Sequence, residues 1–300
     1  RFSAFLLAGT AVAVANLAVI AGFRLTESLP DLRGAAELAA VALGSGALSS
    51  GLAALFVMAS GPLLGITTSV QLLELARPDH PLLRDLQLRA PGTDQHSLLL
   101  GNLAEAAADA IGADVLLVRV AAYYHDVDKV SRPLFFIENQ LPGQNPHDDL
   151  DPESSARIVI AHVTDGVELA RSSRLPAVIV DGIREHHGTT RAEFFYRKAV
   201  DEAGGTPIDE SRFRYPGPRP RSRETAILML ADAAEAAVRA ASPRSAAEMA
   251  EVLERIFKAR VDQGQLDDSD LTLRDVQRVR EVFLSVLQSV YHPRIRYPDG

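Results

Sequence analysis

The sequence predicts an all-α protein in two parts, a transmembrane helical hairpin followed by a polar helical domain. Three observations predict it. Two long stretches near the N-terminus carry no charge. From Thr93 onward, apolar residues recur at helical spacing. No run of alternating strand residues, internal repeat or long low-complexity segment is evident.

The first uncharged stretch runs from Phe2 to Phe23, long enough to cross a bilayer core as a helix. Its Asn16 and many small residues suit packing against other helices better than facing lipid. The second runs from Leu38 to Leu72, with a spanning core from Val41 to Leu64. Between them lies a polar connection, LTESLPDLRG, with Pro30 and Gly34 as breakers. A signal peptide fits the first stretch less well, because it lacks a basic leading region and a clear cleavage motif, and a second span follows. Buried soluble helices are the other alternative, since both stretches are rich in Ala and Gly. Uncharged lengths well past about 18 residues favour the membrane. Arg77, Arg84 and Arg89 follow the second span, against Arg24 and Arg33 in the hairpin loop, which leans toward a cytoplasmic C-terminal part. The chain opens on Arg1, which reads as a fragment or a processed chain.

Residues 1–72 are thus read as membrane segment, 73–92 as a Pro-rich connector and 93–300 as a cytoplasmic domain. In that domain, Leu99, Leu103, Ala106, Ala107, Ala110 and Ile111 share one face of a helix that Gly112 would end. Val115 to Tyr124 is a short apolar run before a His-Asp pair. Pro152 to Ser172 reads as a helix with Pro152 in its first turn. Pro176–His187, Glu224–Ala241 and Arg274–Val290 are further helices. Two loops stand out. One is Ser131–Asp151. The other is Phe213–Arg223, FRYPGPRPRSR, whose length and prolines make it a candidate active-site flap.

Composition narrows the chemistry. The 300 residues include no Cys, which excludes disulfides, thiolate zinc sites and Cys-ligated iron–sulfur clusters. Any metal must sit on His, Asp, Glu or backbone oxygen. The net charge of −8 argues against general nucleic-acid binding, so an anionic substrate would need local cations. Eight histidines are present, with one His-Asp pair, His125-Asp126, and one tandem pair, His186-His187. Neighbours on a helix point about 100° apart, yet a long imidazole and a short carboxylate can converge on one ion between them. His80, His147 and His292 lie in Pro-flanked loops and read as ordinary surface or core residues. Asp232 alone reads as an exposed helical acid. Spacing alone leaves a metal site and unrelated histidines both open.

The stretch HSLLLGNLAEAAADAIGADVLLVRVAAYYHDVDKVSRPLFFIENQ resembles the HD-domain phosphohydrolases. More narrowly, it is similar to the seven-transmembrane HD proteins whose members degrade cyclic di-AMP in bacteria. The resemblance continues through NPHDDL, IAHVTDGVELA, EHHGTT, FRYPGPRPRSRETAILMLADAAEAA and YHPRIRYP, and starts at about Gly65. It implies an HD-domain helical bundle with a dinuclear centre of two divalent ions, Mn or Fe. His96, His125, Asp126 and Asp232 would hold one ion. Asp126 would bridge to a second held by His162, His186 and His187. In two-metal phosphoester hydrolysis, a hydroxide held between the ions attacks phosphorus, and the ions neutralise the phosphoryl oxygens.

The same family pattern puts Lys129 near a phosphate or the leaving oxygen. A salt bridge to Asp126 or Asp128 is the alternative. Arg219, Arg221 and Arg223 are candidates to clamp a second phosphate, or else form a solvated basic loop. Where the family usually has Gly two residues after the bridging Asp, this chain has Asp128. On a continuing helix it would point about 200° from Asp126, away from the metals. If the backbone turns, it could approach the ions or capture Lys129.

The resulting expectation is a membrane-bound phosphodiesterase that hydrolyses cyclic di-AMP to linear pApA. Alternatives are another cyclic dinucleotide or a guanine alarmone as substrate, or a weakly catalytic nucleotide sensor. Expected partners are the cyclic dinucleotide and the membrane, with a homo-oligomer left open and no nucleic-acid polymer.

Overall fold

The computed structural model describes residues 2–25, 32–63, 66–141 and 143–291. His292 and the rest of the YHPRIRYP motif after Tyr291 lie outside the described residues. The chain divides into two compact units, Arg1–Thr68 and Ser69–Gly300.

The first unit is a pair of helices, α1 (Phe2–Arg24) and α2 (Leu32–Leu63). Both contain stretches long and apolar enough to cross a membrane. Their contact is a seam of small residues. Ala13 and Ala42 are buried in it. A Cβ placed on Gly9 would lie 2.6 Å from the Gly46 carbonyl oxygen, and one on Gly46 would lie 2.5 Å from that of Gly9. Only glycines allow the backbones this close, the arrangement that small-xxx-small spacing produces between apolar helices. Asn16 donates to the Ser45 hydroxyl and Ser50 donates to the Phe5 carbonyl, so the polar groups face the partner helix. Leu6, Leu7, Leu48, Leu52 and Phe56 point outward and are exposed.

The second unit is helical, and its described residues form no strand. Its helices are α3 (Ser69–Leu75), α4 (Pro81–Arg89), α5 (Pro91–Ile111), α6 (Val115–Tyr124), α7 (Pro152–Ser172) and α8 (Ala177–Glu185), then α9 (Glu193–Ala203), α10 (Arg223–Ala241), α11 (Ala246–Asp262) and α12 (Leu273–Val290). Their ends follow from local chemistry. Gly112, at φ 70°, stops α5. Asp114 and Asp151 accept from the amides of Leu117 and Ser154 and so cap α6 and α7. Ser222 with Thr225, and Thr272 with Asp275, form reciprocal capping boxes on α10 and α12.

Helix α10 is the axis of the unit. Its Ala226–Ala231 run is buried on all sides, as expected of a helix without a polar face. Helices α5, α6, α8, α11 and α12 pack around it, while α7 joins through α8. Burying each of Ile227, Leu228, Met229 and Leu230 contributes about 1.5–3 kcal/mol. That anchorage fixes the position of whatever polar group α10 carries.

The segment read as a connector departs from expectation. It contains α4 and the ends of α3 and α5. Leu72, Leu75 and Leu83 enter the main core, Leu86 and Ala90 pack on Val130, and the Tyr124 hydroxyl donates to the Leu75 carbonyl at 2.8 Å. Pro81 and Pro91 are compatible with this because each opens a helix, where no amide donor is needed. Helices α9 and α11 are also additions to the sequence reading.

Candidate metal centre

Five helices deliver side chains to one point beside α10. His96 comes from α5, His162 from α7 and Asp232 from α10. The two adjacent pairs sit at helix ends. Helix α6 stops at Tyr124, and Asp126 leaves helical geometry at φ −112° and ψ 21° before a 3₁₀ turn over Val127–Ser131. That break lets His125 and Asp126 face the same point. Helix α8 stops at Glu185, and Gly188 turns the chain at φ 53° just after His186 and His187. An L side chain at position 188 would be strained by that φ and would meet the Gln265 side chain at 2.4 Å.

The seven residues named from the resemblance all meet. The donor atoms of His96, His125 and Asp232 lie within 4.8 Å of one another, as do those of His162, His186 and His187. Asp126 stands between the groups. Its Oδ2 is 3.0 Å from His125 Nε2, and its Oδ1 is 3.2 Å from His162 Nε2 and 3.8 Å from His186 Nε2. Asp232 Oδ1 is 3.2 Å from His96 Nε2, and its Oδ2 is 3.6 Å from His187 Nδ1. Asp232, which reads from sequence as an exposed acid, has a side chain only 14% exposed.

The hydrogen bonds assign the imidazole protons. Nδ1 of His125, His162 and His186 each faces the carbonyl oxygen three residues earlier, at Ala122, Val159 and Ile183. A carbonyl only accepts, so each Nδ1 donates and each Nε2 presents a lone pair inward. Lone pairs then confront one another: His162 Nε2 is 3.2 Å from His186 Nε2. His125 Nε2 and Asp126 Oδ1 are buried with no hydrogen-bond partner among the described residues. Facing acceptors repel unless a cation lies between them, so this donor set fits metal ions.

Electrostatics agree. Burial, with His125 next, pushes His186 down to about 3, and burial with His186 beside it pushes His187 well below the usual imidazole range. Both are therefore neutral, the form that ligates metal. Burial opposes ionisation of Asp126, yet the Lys129 ammonium beside it holds its carboxyl well below the usual range. Burial likewise opposes ionisation of Asp232, and its hydrogen bond with the protonated His96 overrides it.

Residues 93–237 match the family model described as HD domain. The chain is 43% identical over 237 residues to the cyclic-di-AMP phosphodiesterase PgpH of Listeria monocytogenes, covering 79% of this chain and 33% of that one. Identity to PgpH of Bacillus subtilis is 43% over 236 residues, covering 79% and 33%. The crystal structure of the Listeria monocytogenes PgpH HD domain in complex with cyclic-di-AMP superposes with a TM-score of 0.68 at 42% identity, covering 73% of this chain and 100% of that one. The chain belongs to the HD-domain family. It spans about a third of the length of the curated relatives it matches.

Around the metal-type cluster of this HD domain, several side chains take settled positions. Lys129 Nζ lies 2.8 Å from Asp126 Oδ2 and 2.8 Å from Glu138 Oε1, so it forms the salt bridge to Asp126. Asp128 faces α7 instead. It accepts from the Ser131 hydroxyl at 2.8 Å and packs beside Gly166, without pairing to Lys129. Of the three loop arginines, Arg219 and Arg223 have their guanidinium groups engaged at separate places. Arg219 pairs with Asp267 and Asp268 and donates to the Gly264 carbonyl. Arg223 donates to the Ile111 carbonyl at the end of α5, and the Arg221 amide donates to Glu185. Nor is the Phe213–Arg223 loop free to act as a flap. Phe213 and Tyr215 are hydrogen-bonded through their backbones to Ala192 and Thr190, and the Tyr215 ring stacks on His187 at 4.2 Å between centroids.

Some neighbours of the cluster escape a reading by spacing. Glu235 receives His96 Nδ1 at 2.9 Å and also accepts from Tyr291. It lies three residues after Asp232, hence on the same helix face, which is the signal that could have found it. Glu138, in FFIENQ, and Arg260, whose charge faces Asp232 and Tyr215, carry no such signal.

Proposed function

We propose that this chain is the catalytic part of a membrane-anchored phosphodiesterase that hydrolyses cyclic di-AMP to linear pApA with two divalent ions, Mn or Fe. The reading includes a place in the seven-transmembrane branch of HD proteins, with this domain on the cytoplasmic side. The observation that carries the chemistry is the convergence of inward lone pairs on His125, His162 and His186 around Asp126. The substrate is supported by the relatives named as cyclic-di-AMP phosphodiesterases and by the relative's HD domain in complex with cyclic-di-AMP. The anchor is supported by α1 and α2.

His96, His125, Asp126 and Asp232 would hold one ion, and Asp126, His162, His186 and His187 the other. Two such ions, when bound, supply an ionised water at neutral pH and neutralise phosphoryl charge. The chain's own groups prepare the site. Backbone carbonyls fix three imidazoles in the ligating tautomer. Lys129 holds Asp126 in place and adds positive charge where a phosphate would approach. Arg260 offers a second cation near Asp232. The sensor alternative rested on Asp128, and its position against α7 favours the catalytic reading.

The test is hydrolysis by the full chain in detergent with Mn²⁺, with Asp126→Asn as control and cyclic di-GMP and a guanine alarmone as competing substrates. The expected outcome is pApA from the wild type and a loss of at least about 100-fold in the variant. Equal product from both proteins, or no pApA at all, would sink the proposal.

A further inference from the structure

Lys129 stands between two carboxylates. Its Nζ is 2.8 Å from Asp126 Oδ2 and 2.8 Å from Glu138 Oε1, and it forms no other ion pair among the described residues. The side chain is mostly buried, and Nζ also lies 4.7 Å from the centroid of the Phe136 ring. Asp126 belongs to the metal-type cluster. Glu138 hydrogen-bonds to none of the seven cluster residues, and its side chain reaches the site only through Lys129.

Glu138 is itself held in place. Its Oε1 accepts from the Thr93 hydroxyl at 3.1 Å, and Thr93 lies about one helical turn before His96 on α5. Next to it, Asn139 Oδ1 accepts from the amides of Gly92 and Thr93 at 2.9 and 3.2 Å, and Asn139 Nδ2 donates to Thr93 Oγ1 at 2.8 Å. The residue before α5, Ala90, offers no side-chain cap, so this distant asparagine satisfies two of the first amides of the helix. Gly92 lets the two backbones meet, since a Cβ there would lie 1.9 Å from the Glu138 carbonyl oxygen. The turn at Ile137–Asn139 and the first turn of α5 thus fit together, and the Glu138 carboxylate is presented from that junction to Lys129.

The two carboxylates differ once ions are bound. Divalent ions on Asp126 would offset its charge and repel the ammonium. A lysine has a flexible stem and regains rotamer freedom by swinging out. Glu138, with the Phe136 ring beside it, opposes that movement. We propose that Glu138 is a positioning residue, which keeps the Lys129 ammonium at the cluster when ions occupy Asp126 and balances the charge that Lys129 sets against them. The proposal rests on the two-metal hydrolysis reading above.

The full chain in detergent tests this through Glu138→Gln, Lys129→Met and the double variant. Glutamine keeps an oxygen for the Thr93 hydroxyl and removes the charge. Mn²⁺ affinity is measured by calorimetry, and kcat/KM for cyclic di-AMP at saturating Mn²⁺. Glu138→Gln leaves the ammonium uncompensated and is expected to weaken Mn²⁺ binding about tenfold. Lys129→Met leaves the carboxylate uncompensated and is expected to tighten it about tenfold, and the double variant is expected to return close to wild type. Glu138→Gln is expected to lower kcat/KM about tenfold, and the double variant to be no slower than Lys129→Met alone. Weaker Mn²⁺ binding in both single variants, or rate losses that add in the double variant, would make Glu138 a structural support only and overturn the proposal. Wild-type affinity and rate in Glu138→Gln overturn it too. If Glu138→Gln does not fold, Glu138→Asp decides, because it keeps the charge and withdraws it by one methylene. Mn²⁺ affinity is then expected to hold while kcat/KM falls, and a wild-type rate overturns the proposal. A wild type that binds Mn²⁺ but leaves cyclic di-AMP intact overturns the substrate reading alone, and the opposite signs of the two affinity changes then decide for Glu138.

Discussion

His96 shows how one residue can be tuned by a neighbour that ligates nothing. Burial works against its charged form, but the carboxylates of Asp232 and Glu235 outweigh this and raise its pKa to about 9. In metal-free protein the imidazolium thus contributes stability that is fully present below about 6.5 and is lost as pH rises through about 9. A metal at Nε2 needs the neutral ring, so protons compete with it across the same window. Mn²⁺ affinity measured by calorimetry is therefore expected to rise with pH and to level off near 9, while the melting temperature of metal-free protein falls. Glu235→Gln is expected to weaken metal binding about 10–100-fold, with turnover recovering in excess Mn²⁺. Unchanged affinity in that variant would show that Glu235 does not orient the ring. Asp128 provides the contrast. Its hydrogen bond to Ser131 turns it from the cluster, so Asp128→Gly is expected to leave kcat within about twofold, the scale of a change with no contact to the reacting groups. A tenfold gain would place the carboxylate at the ions after all.

At the scale of elements, the helix breaks decide the site. His125-Asp126 and His186-His187 converge because α6 and α8 stop just before them, and Gly188 makes the second stop. Gly188→Ala would bear the left-handed penalty of about 1–2 kcal/mol and also displace Gln265, which receives the Thr189 amide at 3.0 Å. A lower denaturation midpoint together with reduced metal stoichiometry is expected, and a stable, fully loaded variant would refute the role of the turn. Much of this was legible in the sequence. Gly112 and Pro152 marked helix boundaries, and the apolar spacing of Leu99 to Ile111 marked α5 as a helix, but its buried face runs through Leu100, Leu103, Ala104, Ala107 and Ala108, with Leu99, Ala106, Ala110 and Ile111 only half-buried. What was not legible depended on tertiary partners. The prolines around α4 read as breakers, because sequence cannot tell a proline that ends a segment from one that opens a helix. The Phe213–Arg223 loop read as a flap, because its anchors at Thr190, Ala192, Glu185 and Asp268 are distant in sequence. The ligand set was named by resemblance, whereas the carbonyls that fix its tautomers come from backbone geometry.

At the scale of the whole molecule, the two units bury different chemistry. Ser69–Gly300 has a core of its own, centred on α10 and closed by α3, α5, α6, α8, α11 and α12. The hairpin has a seam of Gly, Ala and Ser and apolar outer faces such as Leu52 and Phe56. Such faces are stable only against lipid or another apolar surface, while the second unit carries the charged groups that favour water. Cutting the chain after Thr68 should therefore separate the behaviours. Residues 69–300 are expected to stay in solution, unfold in one cooperative transition and retain metal, because every residue of the cluster and its core lies beyond the cut. The uncut chain is expected to sediment with membranes and to need detergent for release. A Gly46→Leu substitution would force α1 and α2 apart, since even a Cβ at that position lies 2.5 Å from the Gly9 carbonyl oxygen. It is expected to disrupt the hairpin contact, read as loss of a crosslink between cysteines placed at Ala13 and Ala42, while leaving metal binding by the second unit intact. Aggregation or metal loss in residues 69–300 would show that the second unit relies on the hairpin for its fold.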